Sequence, residues 1–511
     1  MSRGKLFTIV ILLIAVIALS TYIVMTMFAK TAGAETPTTA TAQGTTASAS
    51  AEAASLSVAE AERLEAERKA AEEAKRREQL AKEIAEKTYM VETEAEILES
   101  PSTDAAVKHV VVRRSGLIVD EIIKDDNGAP LFYKVRETIE ATDPLGYVAA
   151  KDVKKTRMDY IAYPEQDVDY TAFQKHPDFE GRPRIQAKGI FVTISTASGP
   201  RFDELSDLVD RTELNAMVID VKDDSDYMLF HSKTAERLNP GANEYVGQRD
   251  IKAALQRAKD KGIYLIARIV TFKSPIYAVK HPERAITRTD TGQVYSDRDQ
   301  LLWASPHDRT LWEYNIGVAK EAAEMGFDEI QFDYVRFPAV HPSIPVDYRN
   351  TNGESATAAI QGFLKQAYRE LADSKVYIAA DVFGWTATAL DDAGIGQHWE
   401  AMTNVVDYMC PMIYPSHYGE GNFGLAVPDA KPYETIYGAI QDSISRNENV
   451  DTPALLRPWI QDFTAGWVPG HIPYGGRELR AQIQALEDKG IHEWLIWNAA
   501  NVYSEDGLKK E

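Results

Sequence analysis

Eight short apolar runs separated by amphipathic helical stretches fill the last three hundred or so residues and leave few folds open. They read GIFVTI (189–194), AMVIDV (216–221), YLIARIV (264–270), EIQFDY (329–334), VYIAADVF (376–383), VDYMCPMIY (406–414), ALLRPWI (454–460) and EWLIWNA (493–499). Each holds few polar residues until its end, the pattern of a parallel strand buried on both faces. The gaps carry helical patterns such as FDELSDLVDRT, DIKAALQRAKDKG, ATAAIQGFLKQAYRELADS and ELRAQIQALEDKG. Glycine follows Lys261, Met325 and Lys489 directly before a strand, where a helix stops on a left-handed residue. Eight βα units predict an α/β chain with a (β/α)8 TIM barrel over 186–511, rather than an open doubly wound sheet. The first run leads into TISTASGPRF, which lacks the glycine-rich phosphate loop of a dinucleotide fold.

The 511 residues leave room for further modules ahead of the barrel. Leu6 to Ala29 is uncharged and mostly apolar, follows Arg3 and Lys5, and is long enough to cross a ~30 Å hydrocarbon core. Residues 1–30 are therefore expected to be a single-pass membrane anchor with the rest of the chain outside the cytoplasm. The alternative is a cleaved signal peptide ending near Ala32-Gly33-Ala34, which would make the protein secreted. Residues 31–57 are Ala, Thr and Ser with almost no large side chains, a disordered linker. Residues 58–87 hold Glu and Lys/Arg at i, i+4 spacing and predict a solvated helical stalk. Leu64, Leu80 and Ile84 are too sparse there for a sustained coiled-coil seam. Short alternating runs over 88–155 predict a small antiparallel β barrel, and 156–185 is an irregular linker rich in Asp, Tyr and Pro.

Composition narrows the partners. The formal net charge of -21 argues against nucleic acid, whose phosphates require a basic surface. Cys410 is the one cysteine, so neither an intrachain disulfide nor a cysteine-based zinc site can form. The ten histidines form no i, i+4 pair and no tight cluster with aspartate at a strand end. That pattern disfavours a metal-dependent sugar deacetylase, and neither metal nor cofactor is called for.

Active sites of such barrels lie at the C-terminal ends of the strands. Those ends hold Asp220 and Lys222 on strand two, Arg268 on strand three, Asp333, Tyr334 and Arg336 on strand four, and Asp381 and Trp385 on strand five. Tyr414 and His417 follow on strand six, Trp459 and Asp462 on strand seven, and Trp497 and Asn498 on strand eight. Asp333 and Asp381 close adjacent strands and suit the two carboxyl groups that cleave a glycosidic bond. Arg336, three residues on, would keep Asp333 ionised as nucleophile or base if it folds back. Trp385 would raise Asp381 as the acid. The reverse order stays open, as does an ion-pair role for either aspartate with Lys222 or Arg268. Asp220 next to Lys222 reads as an ion pair. Trp303, Tyr334, Trp385, Tyr414, Trp459 and Trp497 are expected to offer apolar ring faces to a sugar.

Two resemblances add to this reading. The motifs GIFVTI, VIDVKDD, ARIVTF, FDEIQFDYVRFP, AADVFGW, YMCPMIYPSHY, RPWIQDF and WLIWNAAN closely resemble a glycosyl hydrolase family of exported bacterial proteins. This implies a (β/α)8 glycoside hydrolase distantly similar to the alpha-amylase clan, with Asp333 where that clan has its nucleophile and Asp381 where it has its acid. The clan's arginine two residues before the nucleophile is replaced by Gln331, and its usual glutamate acid by Asp381. The chitinase-like glutamate position in strand four holds Val335. Residues 88–155, closing on Gly146-Tyr147-Val148, resemble a bacterial SH3-like domain, which implies either a cell-wall peptide as a second partner or, equally, a spacer. The function expected is hydrolysis of a cell-envelope or extracellular polysaccharide. The alternative is a non-catalytic barrel that binds wall glycan or serves as a scaffold.

Overall fold

The computed structural model describes residues 65, 68–69, 71–73, 75–84, 86–91, 94–112, 116–154 and 167–510. The anchor or signal expected over 1–30 and the linker 31–57 lie outside them. Among the described residues no helix is long and apolar enough to cross a membrane. The chain divides into two compact units after Glu72, and Glu73–Glu511 is the second.

The eight apolar runs all form strands. They are β1 (Lys188–Val192), β2 (Ala216–Lys222), β3 (Tyr264–Val270), β4 (Glu329–Asp333), β5 (Tyr377–Phe383), β6 (Tyr408–Met412), β7 (Trp459–Gln461) and β8 (Trp494–Trp497). Each pairs in parallel with its sequence neighbours, and β8 returns to β1 through Trp494↔Lys188, so the sheet closes as a (β/α)8 barrel. The outer layer includes helices Arg201–Asp210, Ile251–Asp260, Arg309–Met325, Ala356–Glu370, Pro432–Asn447 and Gly476–Glu487. Asp250 and Ser355 cap two of them by accepting the N–H of Ala253 and Ala358, and Gly326 ends the third at φ 110°.

Strand alternation splits the apolar side chains into two cores. One lies between strands and helices. The other fills the barrel with Phe191, Val218, Ile266, Tyr377, Ala379, Tyr408, Cys410, Trp459 and Leu495. On β4 the inward positions Glu329, Gln331 and Asp333 are all polar, and each belongs to a different layer. At the lowest, Arg457 donates to both oxygens of Glu329 at 2.7 Å and to Glu493 at 2.9 Å, with its guanidinium 3.6 Å from the Tyr408 ring centre.

Two segments pack more tightly than their composition predicts. The irregular stretch is no free linker from 167 onward but a strap along the N-terminal ends of the strands. His176 stacks on Tyr368, Phe179 packs against Tyr377, and Arg184 pairs with Asp407 at 2.8 Å. The charged helix is likewise no solvated stalk at its end, because Ala81 and Ile84 are buried in the core between strands and helices. Small and isolated apolar residues suffice for that contact because the helix docks on one narrow face.

Residues 88–154 form a seven-stranded antiparallel sheet with its own core of Val91, Ile97, Leu117, Val135 and Val148. It rests on the loop after β6, where the Ile139 N–H donates to the Gly424 carbonyl at 2.8 Å.

Candidate active site

The C-terminal ends of the strands open into a cleft of about 1020 Å³, with Arg268 at the centre of its floor. Its guanidinium donates from Nη1 to Asp220 Oδ1 at 2.5 Å, and from Nε and Nη2 to Asp333 Oδ2 at 2.9 and 2.5 Å. One arginine on β3 thus bridges carboxylates on the strands either side. The Phe191 and Trp497 rings, stacked 4.1 Å apart, lie 5.5 and 5.4 Å from the same guanidinium and shield it from solvent.

Asp333 is 5% exposed and lines the cleft. Its second oxygen accepts the Tyr334 N–H at 2.5 Å, which Tyr334 presents by adopting a left-handed φ of 48°. Three N–H donors thus fix the orientation of this carboxylate. Arg336, expected to hold Asp333, donates instead to the Phe337 carbonyl, with its guanidinium among the rings of Trp303, Tyr334 and Phe383.

Asp381 stands on the neighbouring strand but lies beneath the floor, 1% exposed and not among the cleft-lining residues. Burial, and then the charge of Asp333, push its carboxyl well above the usual range. The indole on it is Trp459, whose Nε1 donates to Asp381 Oδ1 at 2.7 Å. Trp385, expected in that place, lines the cleft wall. Asp220 is pushed up to about 7 by burial, against the opposing pull of Arg268.

Of the other expected residues, Tyr334, Tyr414, His417 and Trp497 line the cleft together with Asp220, Arg268, Asp333, Arg336 and Trp385. Burial lowers the His417 imidazole, which shares a 3.0 Å hydrogen bond with the Ser416 hydroxyl. Besides Asp381, five expected residues do not line it. Lys222 is fully buried among the helices and pairs with Asp226 at 3.1 Å, not with Asp220. The cause is a bulge: Asp220 pairs with Arg268 but Lys222 with Ile269, so one skipped residue turns Lys222 outward. Trp303 backs the wall, donating to Asp297 at 3.0 Å. Trp459 lies behind the cleft, donating to Asp381 and packing edge-on against the lining rings of Phe191 and Trp497. Asp462 accepts the N–H and hydroxyl of Ser504, and Asn498 donates to the Asp462 carbonyl, so both fix the turn after β8.

Sequence reasoning missed Phe191, Asp223, Asp224, Tyr227, Tyr245, Phe383 and Tyr418, all of which line the cleft. The run Asp223-Asp224-Ser225-Asp226-Tyr227 directly after β2 was the available signal. Among the described residues no group of three or more His, Cys, Asp or Glu could hold a metal ion.

A closed parallel barrel with a carboxylate-bearing, ring-lined cleft at the C-terminal ends of its strands is the architecture of a (β/α)8 glycosidase. The family described as "Putative glycosyl hydrolase domain" matches residues 189–503, and the chain belongs to it. A hypothetical protein from Ruminiclostridium thermocellum is 36% identical over 38% of this chain and 97% of its own, with a TM-score of 0.33. The PgaB (BpsB) glycoside hydrolase domain from Bordetella bronchiseptica is 12% identical over 61% of this chain and 94% of its own, at a TM-score of 0.44. The alpha-galactosidase TtGalA from Thermus thermophilus is 11% identical over 82% and 84%, at 0.40. No curated protein matches the chain.

Proposed function

We propose that this protein hydrolyses O-glycosidic bonds in a cell-envelope or extracellular polysaccharide, using two carboxyl groups of which Asp333 is the one that attacks or activates water. The observation that carries this reading is the grip of Arg268 and the Tyr334 N–H on Asp333 at the floor of a cleft large enough for sugar rings. An oxocarbenium-like transition state is positive, and a carboxylate held rigidly beneath it stabilises it without reorganisation. Phe191, Trp497, Trp385 and Tyr245 offer ring faces along the walls, where the apolar faces of sugars stack. Burial and the charge of Asp333 push the Asp381 carboxyl up, which disfavours a second full negative charge next to Asp333.

The N-terminal segment, as anchor or export signal, puts the barrel where such polymers occur, and the SH3-like resemblance of 88–155 adds a wall peptide as a second contact. Incubating the full chain with peptidoglycan, chitin, chitosan, alpha-glucans and galactans, and assaying reducing ends, tests the reading. Release from at least one polymer is expected. Binding without release from any of them would favour a glycan-binding scaffold.

A further inference from the structure

A glycosidase needs a group that delivers a proton to the leaving oxygen as well as a carboxylate beneath the sugar. Burial pushes the Asp381 carboxyl up, but it does not line the cleft, and its Oδ1 is taken by the Trp459 indole. The donor must face the substrate. Four carboxylates line the cleft: Asp220, Asp223, Asp224 and Asp333.

Asp220 and Asp333 share the Arg268 guanidinium, and a proton on either would compete with that ion pair. The Asp224 carboxyl is half exposed at 49% and faces the Lys273 ammonium at 3.9 Å. Asp223 differs from all three. No lysine or arginine pairs with it among the described residues, and its Oδ1 accepts the N–H groups of Ser225 and Tyr227, both at 3.0 Å. Those two bonds orient the carboxyl and leave Oδ2 to carry a proton. Tyr227, braced against Tyr245 with ring centres 4.7 Å apart, walls the same side of the cleft.

We propose that Asp223 is a catalytic residue, the general acid that protonates the glycosidic oxygen as Asp333 acts on the sugar from the floor. The inference rests on the glycosidase reading above and names its second carboxyl group. As the C–O bond breaks, the Asp223 proton passes to the leaving oxygen. Asp333 either bonds to the anomeric carbon or takes a proton from the water that does. In the first case Asp223, now a carboxylate, recovers a proton from the water that cleaves the glycosyl-Asp333 ester. In the second it is reprotonated from solvent.

The titratable groups whose charge or hydrogen bonds reach Asp223 are Asp220, Asp224, Asp226, Lys222 and Tyr227. Burial together with the charges of Asp224 and Asp226 outweighs the two N–H bonds and brings Asp223 up to about 6, which suits proton donation near neutrality.

Leaving-group dependence tests this on the full chain. On the polysaccharide that the wild type degrades, Asp223→Asn should lose about 10²–10⁴-fold in kcat/KM. On the 2,4-dinitrophenyl glycoside of the same sugar, whose leaving group needs no proton, it should stay within about tenfold of wild type, which also shows that the variant is folded. The high-pH limb of the wild-type profile, falling above about pH 6, should vanish in the variant. Equal loss on both substrates, no loss on either, or the same split in Asp220→Asn or Asp381→Asn instead would overturn the assignment to Asp223. A wild type inactive on every polymer and glycoside would overturn the glycosidase reading itself.

Discussion

Asp333 takes two hydrogen bonds from Arg268 on a single carboxylate oxygen, at 2.9 Å from Nε and 2.5 Å from Nη2. Arg268 is not level with it in the sheet. Its backbone partner on β4 is Gln331, two residues below, so the guanidinium reaches up from the middle layer to the floor of the cleft. That reach lets one cation serve two carboxylates and supplies from β3 what Gln331 does not supply from β4.

Replacing Arg268 therefore removes both ion pairs at once. Arg268→Ala should lose about 3–5 kcal/mol of stability, because two buried carboxylates are left uncompensated. Arg268→Lys keeps the charge but not the planar fork and should lower kcat by about 10²-fold with a smaller loss of stability. Thermal melts paired with steady-state kinetics separate the two effects.

Arg457 offers the contrasting case in the lowest layer of the barrel. Arg457→Met should cost about 3–5 kcal/mol by leaving Glu329 and Glu493 unpaired in the interior. Well below the lowered Tm, kcat should stay within a factor of about two of wild type, since no residue of this layer faces the cleft. A large fall in kcat at intact fold would show that the layers are coupled.

Much of the barrel was legible in the sequence because buried parallel strands announce themselves as apolar runs, and glycine marks helix ends. Which side chains meet was less legible. Arg336 stood three residues from Asp333, yet the partner came from the adjacent strand, a contact that register decides. Lys222 lay two residues from Asp220 and would share its face in a regular strand, but a bulge turned it outward. Trp385 and Trp459 are both aromatic residues at strand ends, and only barrel closure decides which indole meets Asp381. Ala81 and Ile84 gave little hint of docking, because a narrow contact needs few apolar residues.

Lys175, in the strap below the barrel, yields a pH dependence. Burial brings its ammonium down to about 7, against the attraction of Asp407, while its Nζ donates to the Thr403 carbonyl at 3.0 Å. The folded chain thus binds this proton less tightly than the unfolded chain. The resulting penalty is fully present below pH ~7 and is relieved as pH rises toward the ordinary lysine value of ~10.4. Lys175→Met should raise Tm by a few degrees at pH 6, with the gain shrinking toward pH 10. A gain that does not change with pH would mean that packing, not charge, is responsible.

Gly384 lies in the cleft wall with no room for a side chain. A Cβ there would lie 2.5 Å from the Met412 carbonyl oxygen and 2.6 Å from the Tyr418 hydroxyl. Gly384→Ala should force the ends of β5 and β6 apart at about 1–3 kcal/mol. As Tyr418 lines the cleft, KM for the polymer should rise with it. A melt and a saturation curve check both.

The most direct measurement compares wild type with Asp333→Asn on the polymer that the wild type degrades, scoring reducing ends and glycan binding in parallel. Asparagine keeps the shape of the side chain but can neither attack nor take a proton from water. Hydrolysis should fall by at least about 10³-fold while binding to the same polymer persists. Hydrolysis at the wild-type rate by Asp333→Asn would contradict the account, because the carboxylate that Arg268 holds would then have no part in the chemistry.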